Sequence, residues 1–194
     1  YDSYDRYHKM KNEFTNIYEK ELWGRGKGSG AGSRPKFNAP YIAFLENFLR
    51  DNNIKSVIDF GCGDWQFSQY IDWGNVNYLG LDVVDFVIEN NKKQFPEYSF
   101  ISDTTVFPYL EGRELILIKD VIMHWPNKEI VSFLDKLITY NIKILLVNES
   151  GQATNRRLKK VGGFSNIDYD KFPLNKYNSE LIFTWKNRQV VLIK

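Results

Sequence analysis

The chain has 194 residues, 43% of them hydrophobic and 16% aromatic, enough apolar material for the core of one α/β domain. Lys and Arg total 26 against 24 Asp and Glu, a formal charge of +2, which argues against the broad basic face of a nucleic-acid binder and for a small or weakly charged partner. A single cysteine, Cys62, excludes an internal disulfide, and no apolar run approaches the ~20 residues that span a bilayer, so the expectation is a soluble, cytoplasmic protein with neither membrane span nor signal peptide.

The first element is a helix, because Tyr7, Met10, Phe14, Ile17 and Tyr18 recur at three- and four-residue spacings. Residues 24–37, GRGKGSGAGSRPKF, follow, with five of the chain's 13 glycines in nine positions, Lys27, Arg34 and Lys36, and no acid. A Walker-type phosphate loop needs Gly-Lys-Ser/Thr after a strand, whereas Gly26-Lys27 runs into Gly28 and is preceded by a helical pattern. A linker between folded domains fails too, since only one short helix precedes it. What remains is a segment between two helices, either a lid over a ligand or a plain surface loop. Ile42, Leu45, Phe48 and Leu49 mark the second helix, closed by Asp51, Asn52 and Asn53. The organisation read from this is one domain over 1–194, with N-terminal helices and a glycine-rich lid in 1–52 and the core in 53–194.

From Ile54 short apolar runs, KSVIDFGCG, VNYLGLDVV, ELILIKD and IKILLVNES, alternate with stretches of helical period, and Tyr98 to Ser102 adds a further strand. That alternation predicts a doubly wound α/β fold, an open and mostly parallel sheet with helices on both faces. SELIFTWKNRQVVLIK reads as a closing antiparallel hairpin around Lys186, Asn187 and Arg188. The connection before it is polar, broken by Gly162, Gly163 and Pro173, and long enough to suggest function.

SVIDFGCGDW carries an apolar strand through Asp59 into Gly61 and Gly63, with a helix-like segment opened by Asp64. Glycines at a strand's carboxyl end let the backbone approach a ligand, and the missing third glycine, Gln66, disfavours a dinucleotide. The next strand ends on Asp82, where a carboxylate suits the hydroxyls of a nucleoside ribose or, alternatively, a helix cap. Asp103 follows the third strand and also fits a turn cap. Cys62 reads as a packing residue.

VIDFGCGDW and LGLD resemble the first two motifs of class I S-adenosylmethionine-dependent methyltransferases, and the terminal hairpin matches that family's strand pattern. The resemblance covers roughly residues 54–150 and the hairpin. It implies a Rossmann-like sheet and S-adenosyl-L-methionine as cofactor, held by Asp59, Gly61, Gly63, Asp64, Trp65, Asp82, Val83, Asp103, Thr104 and Lys119, with Asp103 placed against the adenine. Trp23 to Ser33, WGRGKGSGAGS, is similar to a Trp-Gly, Ser-Gly-x-Gly-Ser-like run of bacterial surface-glycan methyltransferases, though lengthened by inserted residues. Under that reading Trp23, Ser29, Gly30, Ser33 and Arg34 close over the donor, with the amides of Ser29 to Ser33 on its carboxylate.

KDVIMHWP is similar to the Arg-Asp-x-x-x-His-Leu-Pro segment of several methyltransferase subfamilies, whose strand end faces the methyl group. One helical turn from Asp120 to His124 would bring carboxylate and imidazole to one side. Trp125, before Pro126, should leave the helical region, and Pro126 should start a helix with Ile130, Phe133, Leu134 and Leu137 on the core. His124 suits a general base near neutral pH, with Asp120 orienting it or sharing the task and Lys119 beside them; a purely structural histidine is the alternative. Glu149, Asp120 and His124 have metal-ligand atoms but no metal-motif spacing, so no metal is expected. Trp125, Glu149, Arg156, Tyr169 and Tyr177 are the expected substrate contacts. Asn155, Arg156, Arg157, Lys159 and Lys160 with Phe164, Tyr169, Phe172 and Tyr177 read as a solvated loop, or as cations for phosphate and rings for a sugar. The function expected is O-methylation of a sugar or nucleotide-linked sugar for surface polysaccharide. The alternatives are methylation of RNA ribose or another small molecule, and a non-catalytic binding subunit; a dehydrogenase ranks last for want of the third glycine.

Overall fold

The computed structural model describes residues 2–23, 28–151, 158 and 160–194, with side chains from residue 8 onward. Packing divides the chain into two units, Tyr1–Val106 and Phe107–Lys194.

In the first unit, helix α1 spans Asp2–Glu19 and turns Met10, Phe14, Ile17 and Tyr18 inward. Helix α2, Pro35–Asp51, opens with Pro35 at its first position after an extended Arg34, where the missing amide hydrogen is harmless. Its buried stripe is Tyr41, Leu45 and Leu49, while Ile42 and Phe48 are only half-buried. The helix is thus turned slightly from the face the sequence pattern suggested, because Tyr41 contributes more apolar surface than Ile42. Strands β1 (Ser56–Phe60), β2 (Asn77–Asp82) and β3 (Ser99–Ser102) are parallel, with Ile58 opposite Leu79 and Leu81 opposite Ile101. Helix α3, Asp85–Gln94, links β2 to β3, and Lys11 of α1 reaches Asp85 at its start, 2.7 Å away.

The helix expected from Asp64 does not form. Residues 64–76 are turns around a short 3₁₀ segment, Ser68–Tyr70. Trp65 decides this: its backbone is left-handed, φ 57°, and its indole is 1% exposed among Tyr78, Phe95, Tyr98 and Phe100. A left-handed residue does not continue a right-handed helix, so the segment turns at Trp65 and the ring joins the aromatic cluster. The Tyr78 hydroxyl joins the cluster, accepting Trp65 Nε1–H at 2.7 Å and donating to Asp59 at 2.8 Å. Residues 103–114 likewise hold only a 3₁₀ segment, Phe107–Tyr109.

In the second unit, β4 (Leu115–Lys119) and β5 (Lys143–Glu149) are parallel, with Leu117 opposite Leu145. Helix α4, Asn127–Leu137, connects them and buries Ile130, Leu134 and Leu137. Phe133 is half-buried, edge-on to Trp125. The hairpin of β6 (Ser179–Trp185) and β7 (Arg188–Ile193) closes the unit, β7 running antiparallel to β5 with Leu146 opposite Val191. Its turn is Lys186-Asn187 alone; Arg188, expected in the connection, is the first residue of β7 and is 7% exposed. Among the described residues no helix is long and apolar enough to cross a membrane.

Tyr78→Phe removes both the acceptor for the Trp65 N–H and a donor to Asp59, inside a buried cluster. We predict a loss of about 1–3 kcal/mol in urea unfolding, whereas an unchanged midpoint would show that these bonds contribute nothing net.

Candidate functional site

In the first unit the carboxyl ends of β1 and β2 are joined through one glycine. Gly63 N–H donates to Asp82 Oδ2 at 3.0 Å, and its carbonyl accepts Asn91 Nδ2 of α3 at 2.8 Å. The other Asp82 oxygen accepts Val84 N–H at 3.1 Å. Burial raises the Asp82 carboxyl to about 6, opposed by the amides of Val84, Gly63 and Val83. A carboxylate offers about four lone-pair directions and these amides take three, so Asp82 keeps acceptor capacity. Asp82 is therefore not the cap of α3, whose start carries no side-chain cap.

The glycine stretch is docked on this turn from Gly28 to Ser33; Gly24 to Lys27 lie outside the described residues. Ser29 and Asp64 exchange bonds, Ser29 N–H to Asp64 Oδ2 at 3.2 Å and Asp64 N–H to Ser29 Oγ at 3.1 Å. Ser29 Oγ also lies 2.6 Å from the buried Tyr18 hydroxyl, and Gln66 Nε2 donates to Asp64 at 2.8 Å. In this structure the Ser29 amide, expected on a donor carboxylate, donates to Asp64. Gly30, at φ 82° and ψ −175°, sits so close to Trp23 that an added methyl would lie 2.5 Å from the Trp23 carbonyl oxygen. The Trp23 ring packs against Phe14 and edge-on to Tyr18. Ala31–Ser33 forms a 3₁₀ turn, Ser33 Oγ bonds the Ser29 carbonyl at 3.3 Å, and the Arg34 side chain is exposed.

The other expected donor residues fall into two sets. Asp59 and Trp65 are buried in the aromatic cluster, which leaves the Trp65 backbone as its part facing the turn. Val83, Asp103 and Thr104 are half-buried beyond β2 and β3, and Asp103 accepts Thr105 N–H at 3.0 Å, closing a turn. Cys62 is enclosed, and burial pushes its thiol up, as suits a packing residue.

In the second unit the strand ends carry a buried charge group. Asp120 has a left-handed backbone, φ 56°, and this turns its carboxylate back onto Lys119, 2.6 Å away, and onto Arg188 Nε at 3.1 Å. Arg188 Nη1 also reaches Glu149 at 2.6 Å, its cross-strand neighbour in the β5 and β7 register. Two cations thus face two carboxylates.

The helical turn expected from Asp120 to His124 is a 3₁₀ turn over Ile122–His124, with Asp120 outside it. Asp120 therefore acts on His124 through charge, and the group that orients the ring is the Gly163 carbonyl, 2.7 Å from Nδ1. A carbonyl only accepts, so Nδ1 carries the hydrogen and, in the neutral ring, Nε2 carries the lone pair. Burial lowers the His124 pKa, with the Gly163 bond and the Asp120 charge opposing. Gly162 N–H to the His124 carbonyl and Ser165 N–H to the Met123 carbonyl, both 3.0 Å, clamp the same strap. Trp125 is extended, φ −109° and ψ 147°, and 5% exposed. Tyr169 is half-buried with its amide on Gln189; Tyr177 bonds Asp135 of α4 at 3.0 Å, and burial raises its phenol. Arg156 lies outside the described residues. Tyr18, Asn91, Gly163 and Arg188 were not anticipated. A two-residue hairpin turn would have placed Arg188 opposite Trp185, but its meeting with Glu149 comes from the register of β7 on β5.

No protein-family model and no curated protein matches the chain. Among solved structures, DhpI in complex with SAH shares 11% identity, covers 99% of this chain and 98% of its own, and has a TM-score of 0.65. Magnesium protoporphyrin IX methyltransferase (ChlM) from Synechocystis PCC 6803 with bound SAH shares 12% identity over 99% of this chain and 98% of its own, TM-score 0.61. The methyltransferase domain of bacterial CtHen1 shares 16% over 80% and 98%, TM-score 0.63. This chain has the Rossmann-like methyltransferase fold. In this chain the glycine turn follows β1 and Asp82 ends β2.

Gly63 combines φ 58° with a Cα so near Ser29 Oγ and Tyr18 that a methyl would overlap the serine oxygen. Gly63→Ala should lower stability by about 2–3 kcal/mol. Ser29→Ala should recover part of that loss in the double variant, and strict additivity in urea unfolding would mean that the steric contact is unimportant.

Proposed function

We propose that the protein is an S-adenosyl-L-methionine-dependent methyltransferase. The reading is supported by the fold and, above all, by the Gly63 turn tied to the Asp82 carboxylate at the carboxyl ends of β1 and β2. The residues fit the donor. Asp82 presents a buried, amide-held carboxylate with acceptor capacity toward the ribose hydroxyls, and Gly61 and Gly63 bring bare backbone to the strand end. When bound, S-adenosylmethionine supplies an electrophilic methyl on a sulfonium sulfur. Asp103 and Thr104 lie beyond β3 for the adenine, and Trp23, Gly30, Ser33 and Arg34 belong to the docked glycine segment over the turn.

The chain's own part in the chemistry is alignment and proton removal. His124, held by Gly163 with its lone pair on Nε2, takes the proton of an acceptor hydroxyl. Asp120 favours the imidazolium that results, and Lys119 and Arg188 hold Asp120 in place. The acceptor is a hydroxyl on a sugar or nucleotide-linked sugar of surface polysaccharide. Trp125, Glu149, Tyr169 and Arg156 are its proposed contacts, whereas Tyr177 serves mainly to tie its loop to α4. The one domain runs through 1–194.

Calorimetry should show S-adenosylmethionine binding at pH 7.5. Because the hydroxyls donate to the ionised Asp82, affinity should fall once pH drops below about 6, roughly tenfold by pH 5. Absence of binding would defeat the proposal, and a pH-independent affinity would remove Asp82 from it. His124→Ala and Asp120→Ala should each reduce turnover at least ~10-fold, about 1.4 kcal/mol of barrier, with donor affinity unchanged. Equal turnover in both variants would refute their catalytic roles.

A further inference from the structure

At the carboxyl end of β5 one amide side chain, Asn148, and one amide oxygen, that of the half-buried Asn166, are enclosed without hydrogen-bond partners among the described residues. Asn148 is 1% exposed, and neither its Oδ1 nor its Nδ2 has a hydrogen-bond partner among the described residues; Asn166 Oδ1 is buried in the same condition. The two belong to one region. Asn148 directly precedes Glu149, the Glu149 carbonyl accepts Ile167 N–H at 2.9 Å, and a methyl on Gly151 would overlap Asn166 Nδ2. Alternation along β5 puts Asn148 on the face opposite Val147 and Glu149, beside its cross-strand neighbour Gln189. Gln189 is itself committed, its Oε1 to Tyr169 N–H at 3.1 Å and its Nε2 to Asp168 at 3.4 Å. Gln189 therefore has its own partners and leaves Asn148 and Asn166 Oδ1 as the unpaired groups of this region among the described residues.

A buried amide with no partner destabilises the fold, and a strand interior offers apolar residues that would fit better. Asn148 interrupts the run Ile144, Leu145, Leu146, Val147, all buried. We infer that Asn148 and Asn166 form a subsite for the methyl acceptor, and that the acceptor is a polyhydroxylated ring. Adjacent hydroxyls both donate and accept, which matches the carbonyl and amino group of Asn148 together with the Asn166 carbonyl. A carboxylate or phosphate would satisfy only Asn148 Nδ2 and leave two carbonyls facing an anion. The inference rests on the methyl-transfer reading and specifies the acceptor within it.

The test uses Asn148→Leu, which keeps the heavy-atom branching, the smaller Asn148→Val, and Asn166→Leu. Each is compared with the wild type by urea unfolding and by calorimetry with S-adenosylhomocysteine. Calorimetry at saturating S-adenosylhomocysteine then uses two kinds of probe: free methyl glycosides (methyl α-glucoside and methyl α-mannoside), and nucleotide sugars (UDP-glucose and GDP-mannose). The expected result is an unfolding midpoint unchanged or raised, S-adenosylhomocysteine affinity unchanged, and affinity for the sugar bound by the wild type reduced at least tenfold. Binding of the free glycosides or only of the nucleotide sugars identifies the source of the ring. A lowered midpoint in both Asn148 variants overturns the inference by showing that the amide holds the fold. Loss of S-adenosylhomocysteine affinity overturns it by moving the amide to the donor. Wild-type binding of S-adenosylhomocysteine but of none of the sugars overturns the inference alone, whereas failure to bind S-adenosylhomocysteine overturns the methyl-transfer reading beneath it.

Discussion

The first unit depends on a single residue, Gly63. Its N–H binds the Asp82 carboxylate, its C=O binds Asn91 of α3, and its bare Cα admits Ser29 and Tyr18. Strand β1, strand β2, helix α3, helix α1 and the glycine segment therefore meet at one residue without a side chain. A left-handed φ there is cheap for glycine and strained for anything else, which is why the geometry can be this close. Once Gly63 is placed, the Asp82 carboxylate is fixed by backbone amides in a buried position. Its proton affinity follows from that burial.

The second unit is organised by charge where the first is organised by backbone. Arg188 is planar and carries several donors, so it can reach Asp120 and Glu149 together. Buried ions are tolerated when opposed: Lys119 donates to Asp120 and Arg188 Nη1 to Glu149, whereas Arg188 Nε and Asp120 Oδ1 meet at 3.1 Å as charges without hydrogen-bond geometry. This group sits at the strand ends near His124, whose ring a glycine carbonyl orients and whose pKa burial lowers.

Much of this was legible in sequence. The strands, the glycine turn after Asp59, the acid ending β2, the extended Trp125 and the hairpin all follow from period, glycine placement and proline sterics, which act over a few residues. The misreadings share a cause. The helix after Asp64 fails because Trp65 is drawn into a ring cluster assembled from residues 78–100. Asp120 and His124 sit four apart, yet a left-handed residue at 120 breaks the spacing rule, and Arg188 supplies the reason for that conformation. The Ser29 amide, expected on a ligand, donates in this structure to Asp64, 35 residues away.

The sequence by itself determined the alternation of strands and helices, the nucleoside-type turn at Gly61 and Gly63, and the candidates His124 and Asp82, because local periodicity and backbone permissiveness are properties of short segments. Only the tertiary structure decided which groups satisfy which. It gave the Asp64 carboxylate to Ser29, the His124 ring to Gly163, and Asp120 and Glu149 to Arg188, and it left Asn148 with no partner among the described residues. Hydrogen-bond and charge pairing is settled by distance in space, and the partners here are 35, 39, 68 and 39 residues apart along the chain.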